Sequence, residues 1–215
     1  MELENKELCS KCGGKCCKKS GCDYSVNDFS NKTFAGFIEV LKDGNISIVS
    51  SIKFNRNKDG KLLVEPVLYL RARNINRDVI DLFSMKTTCS MLTDKGCSYD
   101  TNHRPSGGLN LIPSENQQCY PYKNPISIVE GWISYQNILE KIVKKYTGKS
   151  IYDKLKEDIE NTLYDFLIGK VDGVSIIEIK DMKNITPLLL EAYPDIAERI
   201  LNKIKISNNQ KCLHR

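Results

Sequence analysis

The spacing of apolar residues changes twice along this chain of 215 residues, and each change predicts a change of element. Phe34, Phe37, Ile38 and Leu41 recur at the interval that lines one face of a helix, with Ser30 as its N-cap and Asp43–Gly44 as its stop. The period then shortens. Residues 45–54 (NISIVSSIKF) and 61–73 (KLLVEPVLYLRAR) are β-branched and roughly alternating, and the turn-rich NRNKDG between them predicts a β-hairpin. Pro66 has no N–H to give to a ladder, so its strand belongs at an edge or carries a bulge. Helical spacing returns after Pro125, where Ile128, Trp132, Tyr135, Leu139, Ile142 and Tyr146 form one stripe ending near Gly148. Ser150 with Asp153 resembles a capping box for a helix carrying Tyr152, Leu155, Ile159, Leu163 and Phe166, with Gly169 beyond it. Ser175 with Glu178 opens a short helix to Met182, and Thr186–Pro187 followed by Pro194 predicts a last, broken helix to about Lys205. The expected fold is α+β. Residues 1–124 form an irregular, cysteine-rich metal-binding half with a small hairpin, packed on C-terminal helices (125–205), and a flexible polar tail (206–215) follows.

Composition changes the setting more than the fold. A chain of this length can bury about 70% of its unfolded surface, and 40% hydrophobic with 27% charged residues is ordinary for a globular protein. There is no apolar run of membrane-spanning length, and the opening MELENKEL is acidic where a signal peptide is basic and then apolar, so the expected location is the cytoplasm, with no membrane partner. The net charge of +5 is interspersed rather than blocked. Nucleic acid is therefore not the expected partner. Arg71 and Arg73, at alternate strand positions, read as solvated cations or as cations reaching a partner, with nucleic acid the weaker option and an unknown protein or small molecule the expected partner.

The cysteines carry the candidate chemistry. Five of nine fall between Cys9 and Cys22 (CSKCGGKCCKKSGC), three more are Cys89, Cys97 and Cys119, and Cys212 stands in the polar tail. In a reducing compartment such clustering points to metal or reactive thiols rather than disulfides. The turn of Cys9-x-x-Cys12 lets two sulfurs converge on one cation, each about 2.3 Å from it. Gly13 and Gly14 let the backbone take positive φ and fold around it. Cys16 and Cys17 are adjacent, so their side chains diverge, one as a ligand and the other in a second site, behind the first ligands, or reactive. Lys11, Lys15, Lys18 and Lys19 favour thiolate over thiol. In the second block Asp94–Lys95–Gly96 makes a tight turn that brings Cys97 back towards Cys89, and Arg104–Pro105 and Gly107–Gly108 kink the chain before Cys119.

These residues resemble the YkgJ-type cysteine-cluster family, described as zinc- or iron-chelating domains. The matching features are C-x-x-C-x-x-x-C-C at Cys9 to Cys17, C-x-x-L at Cys89 to Leu92, Gly96–Cys97 with Tyr99, and Arg104–Pro105 followed by a cysteine. In the usual pattern that last cysteine comes within a few residues. Here Ser106–Gly107–Gly108 takes its place and Cys119 is next. The resemblance implies metal binding. It also leads to flagellin lysine methylases, which carry a similar cysteine cluster holding an iron-sulfur cluster used with S-adenosylmethionine, an implication that touches only Cys9, Cys12, Cys16, Cys17, Cys89 and Cys97.

All-sulfur ligation suits both zinc and an iron-sulfur cluster, and the candidate ligands are Cys9, Cys12, Cys16, Cys17, Cys22, Cys89, Cys97 and Cys119. Eight sulfurs serve two four-coordinate sites, or one cluster with spare thiols. Of the two histidines, His103 lies in the second cysteine block and His214 in the tail. No Ser-His-Asp constellation or Gly-rich dinucleotide loop is present in the pattern. Two functions stay open: a metal centre with redox or methyl-transfer activity, or a zinc-stapled module whose helices present a surface to a partner.

Overall fold

The computed structural model describes residues 11, 13–14, 17–18, 22–85, 88–94, 96–99, 104–112, 120–121, 125–171, 174 and 176–213. It is α+β, as the two periodicities predict. Helix α1 (Phe34–Lys42) precedes a hairpin of β1 (Ile46–Arg56) and β2 (Leu62–Ala72). Two minimal hairpins follow, β3 (Leu92–Thr93) with β4 (Gly96–Cys97), and β5 (Leu111–Ile112) with β6 (Tyr120–Pro121), separated by the helical turn α2 (Ser106–Leu109). Helices α3 (Pro125–Glu130), α4 (Gln136–Thr147), α5 (Ile151–Leu167), α6 (Ile176–Ala192) and α7 (Pro194–Leu213) complete the order.

Helix α1 starts three residues later than Ser30 would place it. Asn31 accepts the Thr33 backbone N–H (3.2 Å) in a local turn, which leaves Thr33 Oγ1 free to accept the Gly36 N–H (3.2 Å) as the N-cap. A Cβ at position 36 would sit 2.4 Å from the Asn31 carbonyl, so the cap and the glycine require each other. The stop falls at Asp43–Gly44, where Gly44 takes φ +68°.

The hairpin register runs unbroken from Ile46 opposite Ala72 to Arg56 opposite Leu62. Pro66 interrupts nothing. Leu68, Leu70 and Ala72 share its parity, and their backbone groups point away from β1: Leu68 N–H donates to Gln136 Oε1 (2.8 Å) and Ala72 N–H to the Cys22 carbonyl (2.9 Å). The donor Pro66 lacks would have faced off the ladder, so the strand needs no bulge. Both outer edges of the hairpin are used. Residues 22–24 run along β2, and on the far side Ile48 N–H donates to the Val79 carbonyl while Asp81 N–H donates to that of Ile48. Ile48, Leu68 and Leu70 are wholly buried, and Val49 and Tyr69 on the other face nearly so; covered on both faces, the hairpin is the structural centre.

The single stripe from Ile128 to Tyr146 is broken into α3, a 3₁₀ turn (Ile133–Tyr135) and α4. Tertiary demands at the break explain this. Trp132, with no exposed surface, donates its Nε1–H to the Tyr24 carbonyl (2.8 Å), and Gln136 clasps both backbone groups of Leu68. Gly131, a poor helix former, yields there. Helix α5 is capped by Ser150, whose Oγ accepts the Asp153 N–H, and buries Leu155, Ile159 and Leu163; Tyr152, placed on that stripe by spacing, is exposed. Pro187 does not break α6. It forfeits one helical bond, while the neighbouring Thr186 hydroxyl bonds back to the Met182 carbonyl (2.6 Å) and the helix continues to Ala192. Helix α7 extends beyond Lys205, where its apolar pattern fades, to Leu213.

Asp158 on α5 fastens residues 82–83 to the helices. Its carboxylate accepts the Leu82 N–H (2.9 Å) and pairs with Lys154 (2.6 Å), while Thr162 donates to the Phe83 carbonyl. Burial raises its carboxyl from the ordinary 3.8 to about 6; Lys154 and the Leu82 N–H act against that rise without cancelling it. The folded chain therefore holds this proton more tightly than the unfolded one. The contribution of Asp158 to stability is largest below the unfolded value, falls as pH rises to about 6, and is constant above it. Compared with Asp158→Asn, the wild type is expected to lose on the order of 2–3 kcal/mol between pH 4 and 7. Denaturant titrations at each pH check this, and parallel stability curves for the two proteins would contradict it.

Candidate metal centre

The fold draws together the two cysteine blocks that the sequence separates by some seventy residues. In the first, Gly13 and Gly14 take φ +60° and +72°, the left-handed turn expected of them, and the Lys18 N–H closes it onto the Gly14 carbonyl (2.9 Å). A Cβ on Gly13 would come 3.8 Å from Lys18 Nζ, so this lysine lies over the loop. A Cβ on Gly14 would lie 2.4 Å from Leu92 Cδ1, inside the second block; only glycine admits that approach. Three residues on, the Cys17 carbonyl accepts the Cys89 N–H at 2.7 Å.

The second block is a continuation of the hairpin. Beyond β2 the chain turns at Ile75–Asn76 and comes back antiparallel: Ile75 N–H donates to the Thr88 carbonyl, Ser90 N–H to that of Arg73 (both 2.8 Å), and Asn74 pairs with Cys89. Cys89 is buried, 5% exposed. The turn at Asp94 then returns Cys97 opposite Leu92, with Ser98 N–H on the Met91 carbonyl. The sequence places this return near Cys89; the register sets it three residues further on.

Cys22 approaches from the other side. Its carbonyl accepts the Ala72 N–H, and Asp23 next to it forms an ion pair with Arg71 (2.7 Å) whose side chains are 19% and 13% exposed. Arg71 is thus neither a solvated cation nor a free partner contact. Burial opposes its charge, but Tyr69 and Asp23 more than compensate and keep it protonated. Arg73 is also partly buried, its guanidinium on the Arg77 carbonyl (3.4 Å). The turn α2 lies on this segment: Gly107 N–H donates to the Asp23 carbonyl (3.0 Å), and a Cβ on Gly107 would fall 2.6 Å from that oxygen. A Cβ on Gly108 would fall 3.1 Å from Cys22 Sγ. Neither glycine is needed for a positive φ; both are needed for contact. Asp28 secures the junction by accepting the backbone N–H groups of Ser25 and Ser106.

Cys17, Cys22, Cys89 and Cys97 are brought near the Ala72 end of the hairpin. Cys9, Cys12, Cys16, Cys119 and His103 lie outside the described residues. Among the described residues no three histidine, cysteine, aspartate or glutamate side chains converge closely enough to hold an ion. The four placed cysteines therefore form no closed metal site by themselves among the described residues.

Two phenols that sequence reasoning did not place stand at this junction. Tyr24 is 5% exposed. Burial raises its pKa far above the ordinary value, and a hydrogen bond with Tyr99 and the nearby Cys89 add to the rise. Tyr99 is raised as well, chiefly by burial, with Cys89 and Cys97 contributing. Both phenols stay protonated. Tyr99 was visible only as a neighbour of Gly96–Cys97, and Tyr24, two residues after Cys22, belonged to no pattern. Comparison with protein-family models, curated proteins and solved structures finds no match to this chain.

Proposed function

We propose that this chain is a cytoplasmic thiolate metal-binding protein of the YkgJ-like cysteine-cluster kind, holding an iron-sulfur cluster or zinc between its two cysteine blocks. The observation that carries this reading is the 2.7 Å hydrogen bond from Cys89 N–H to the Cys17 carbonyl, which joins the blocks at their cysteines. Converging cysteines, a left-handed glycine loop and Lys18 over it are the features a sulfur-rich site needs. Cys17, Cys22, Cys89 and Cys97 would be ligands together with sulfurs from the first block. A cluster bound there would supply one-electron chemistry, and zinc would supply folding free energy.

A second reading, zinc as a structural staple without catalysis, is favoured by one observation. The placed cysteines hang from backbone pairing at the end of the hairpin, as a structural staple would. Both readings predict that Cys17→Ser and Cys97→Ser lose metal while Cys212→Ser keeps it. Elemental analysis of the three variants decides: full metal in the first two would exclude these cysteines as ligands, and loss in the third would bring the tail into the site.

A further inference from the structure

The outer edge of β1 is used along only part of its length. Ile48 directs both backbone groups away from β2, onto the Val79 carbonyl and the Asp81 N–H (2.8 and 2.9 Å), and residues 79–81 run beside it in the parallel sense. The segment is then drawn off to α5, where Asp158 accepts the Leu82 N–H and Thr162 donates to the Phe83 carbonyl. Ser50 closes the pairing by donating its hydroxyl to the Leu82 carbonyl (2.6 Å). In an antiparallel ladder every second residue points its N–H and C=O off the pair. Ile52 and Phe54 share the parity of Ile48, so theirs face outward too, and among the described residues no backbone group meets them. Such an edge is a template for another strand.

A cavity of about 310 Å³ adjoins it. Residues 49–52 all line this cavity, and because they are of both parities it meets the strand along its edge and not on one face. Phe83, Met85, Met182 and Ile185 give it an apolar wall. Its volume is near the lower end of the range for ligand pockets, enough for a single side chain.

Two occupants suit an open edge, a second copy of this chain and a peptide from a partner, and Lys53 separates them. Lys53 is exposed and forms no ion pair among the described residues; its cross-strand neighbour Glu65 is taken by Asn55 (2.6 Å), and Arg56 is held by Glu191 (2.6 Å). Antiparallel pairing of two copies about Ile52 or Phe54 would bring two Lys53 side chains within two positions of each other on one face, where like charges repel. A partner strand with a carboxylate at that place is attracted instead. The order of features along β1, the cavity at 49–52 and then Lys53, fixes the order of side chains in a parallel strand: an apolar residue, and two residues later on the same face an acidic one.

We propose that the open edge of β1 at Ile52–Phe54 binds an extended peptide segment of a partner protein. The segment pairs in the parallel direction that residues 79–81 already take, with an apolar side chain in the cavity and, two residues on, a carboxylate at Lys53. The site does not depend on the metal reading.

The probe is the acetylated and amidated peptide TLTEVT, added to ¹⁵N-labelled full-length protein. The Ile52 and Phe54 amide signals are expected to shift saturably. Their hydrogen exchange, fast in the free protein, should slow about tenfold when nine-tenths of the protein is bound, since only the unbound fraction exchanges. Lys53 N–H, bonded within the hairpin, is protected in both states and serves as the internal control. Peptides TTTEVT and TLTKVT should bind about threefold to tenfold more weakly, and the exposed change Lys53→Glu should reverse the preference between TLTEVT and TLTKVT. N-methylation of alternate peptide residues should abolish binding in the phase that faces β1 and spare it in the other. No saturable shift at Ile52 and Phe54, equal binding by the two N-methylated phases, or a preference for TLTEVT unaltered in Lys53→Glu would overturn the proposal. Protection of Ile52 and Phe54 that rises with protein concentration and needs no peptide would overturn it in favour of a second copy.

Discussion

Cys89→Ser is expected to purify with little metal and to unfold at a markedly lower denaturant concentration than the wild type. The backbone at this position is fixed on both sides, by the Cys17 carbonyl and by pairing with Asn74, so the exchange of sulfur for oxygen leaves the chain path unaltered. Serine is close to cysteine in volume, and the packing cost at a site 5% exposed is about 1 kcal/mol. A larger effect comes from the ligand. Metal binding to thiolates that come together only in the folded chain is folding free energy, on the order of 10 kcal/mol for structural zinc, and one missing sulfur removes several kcal/mol of it. The wild type stripped by a chelator should then fall to nearly the stability of the variant. Full metal content in Cys89→Ser would remove this cysteine from the site, and a chelator without effect on the wild type would remove the link between metal and folding.

Trp132→Ala is expected to cost about 3–5 kcal/mol, a large share of the 5–15 kcal/mol typical of a folded domain. The indole is wholly buried and contacts the rings of Phe29, Phe37 and Tyr135 at centroid distances of 5.8, 5.5 and 6.2 Å. Its Nε1–H also satisfies the Tyr24 carbonyl. Truncation opens a cavity among α1, the hairpin and α4, and leaves that carbonyl buried without a donor. Trp132→Phe separates the two effects: most of the ring packing stays, the bond goes, and the loss should be about 1–2 kcal/mol. Because Tyr24 follows Cys22 by two residues, the disturbance also reaches the segment that presents Cys22. Chemical denaturation followed by far-ultraviolet circular dichroism measures both changes; a loss under 1 kcal/mol for Trp132→Ala would show that the aromatic cluster does not hold the helices to the hairpin.

Elements whose causes are local could be read from the sequence. The hairpin follows from alternation and the turn residues between its strands, α1 ends at Asp43–Gly44, and α5 begins where Ser150 caps it. Elements set by distant partners could not. The break before α4 exists because Trp132 and Gln136 have appointments with Tyr24 and Leu68, more than sixty positions away. Pro187 forfeits one helical bond, yet α6 runs through it to Ala192, which the Thr186–Pro187 pair did not foretell. At the candidate site, spacing marked every cysteine and the Gly13–Gly14 turn. The pairing of residues 22–24 with β2, the burial of Arg71 against Asp23, and the contact of Gly108 with Cys22 all required a third dimension.

The most direct test of a thiolate metal centre is elemental analysis, with an ultraviolet-visible spectrum, of full-length protein purified without oxygen. Stoichiometric iron with acid-labile sulfide and a brown colour, or stoichiometric zinc in a colourless protein, is the predicted result, the first directing attention to redox or methyl-transfer chemistry and the second to a stapled module. Protein that is folded, fully reduced and free of both metals, and that takes up neither when they are supplied, would contradict it.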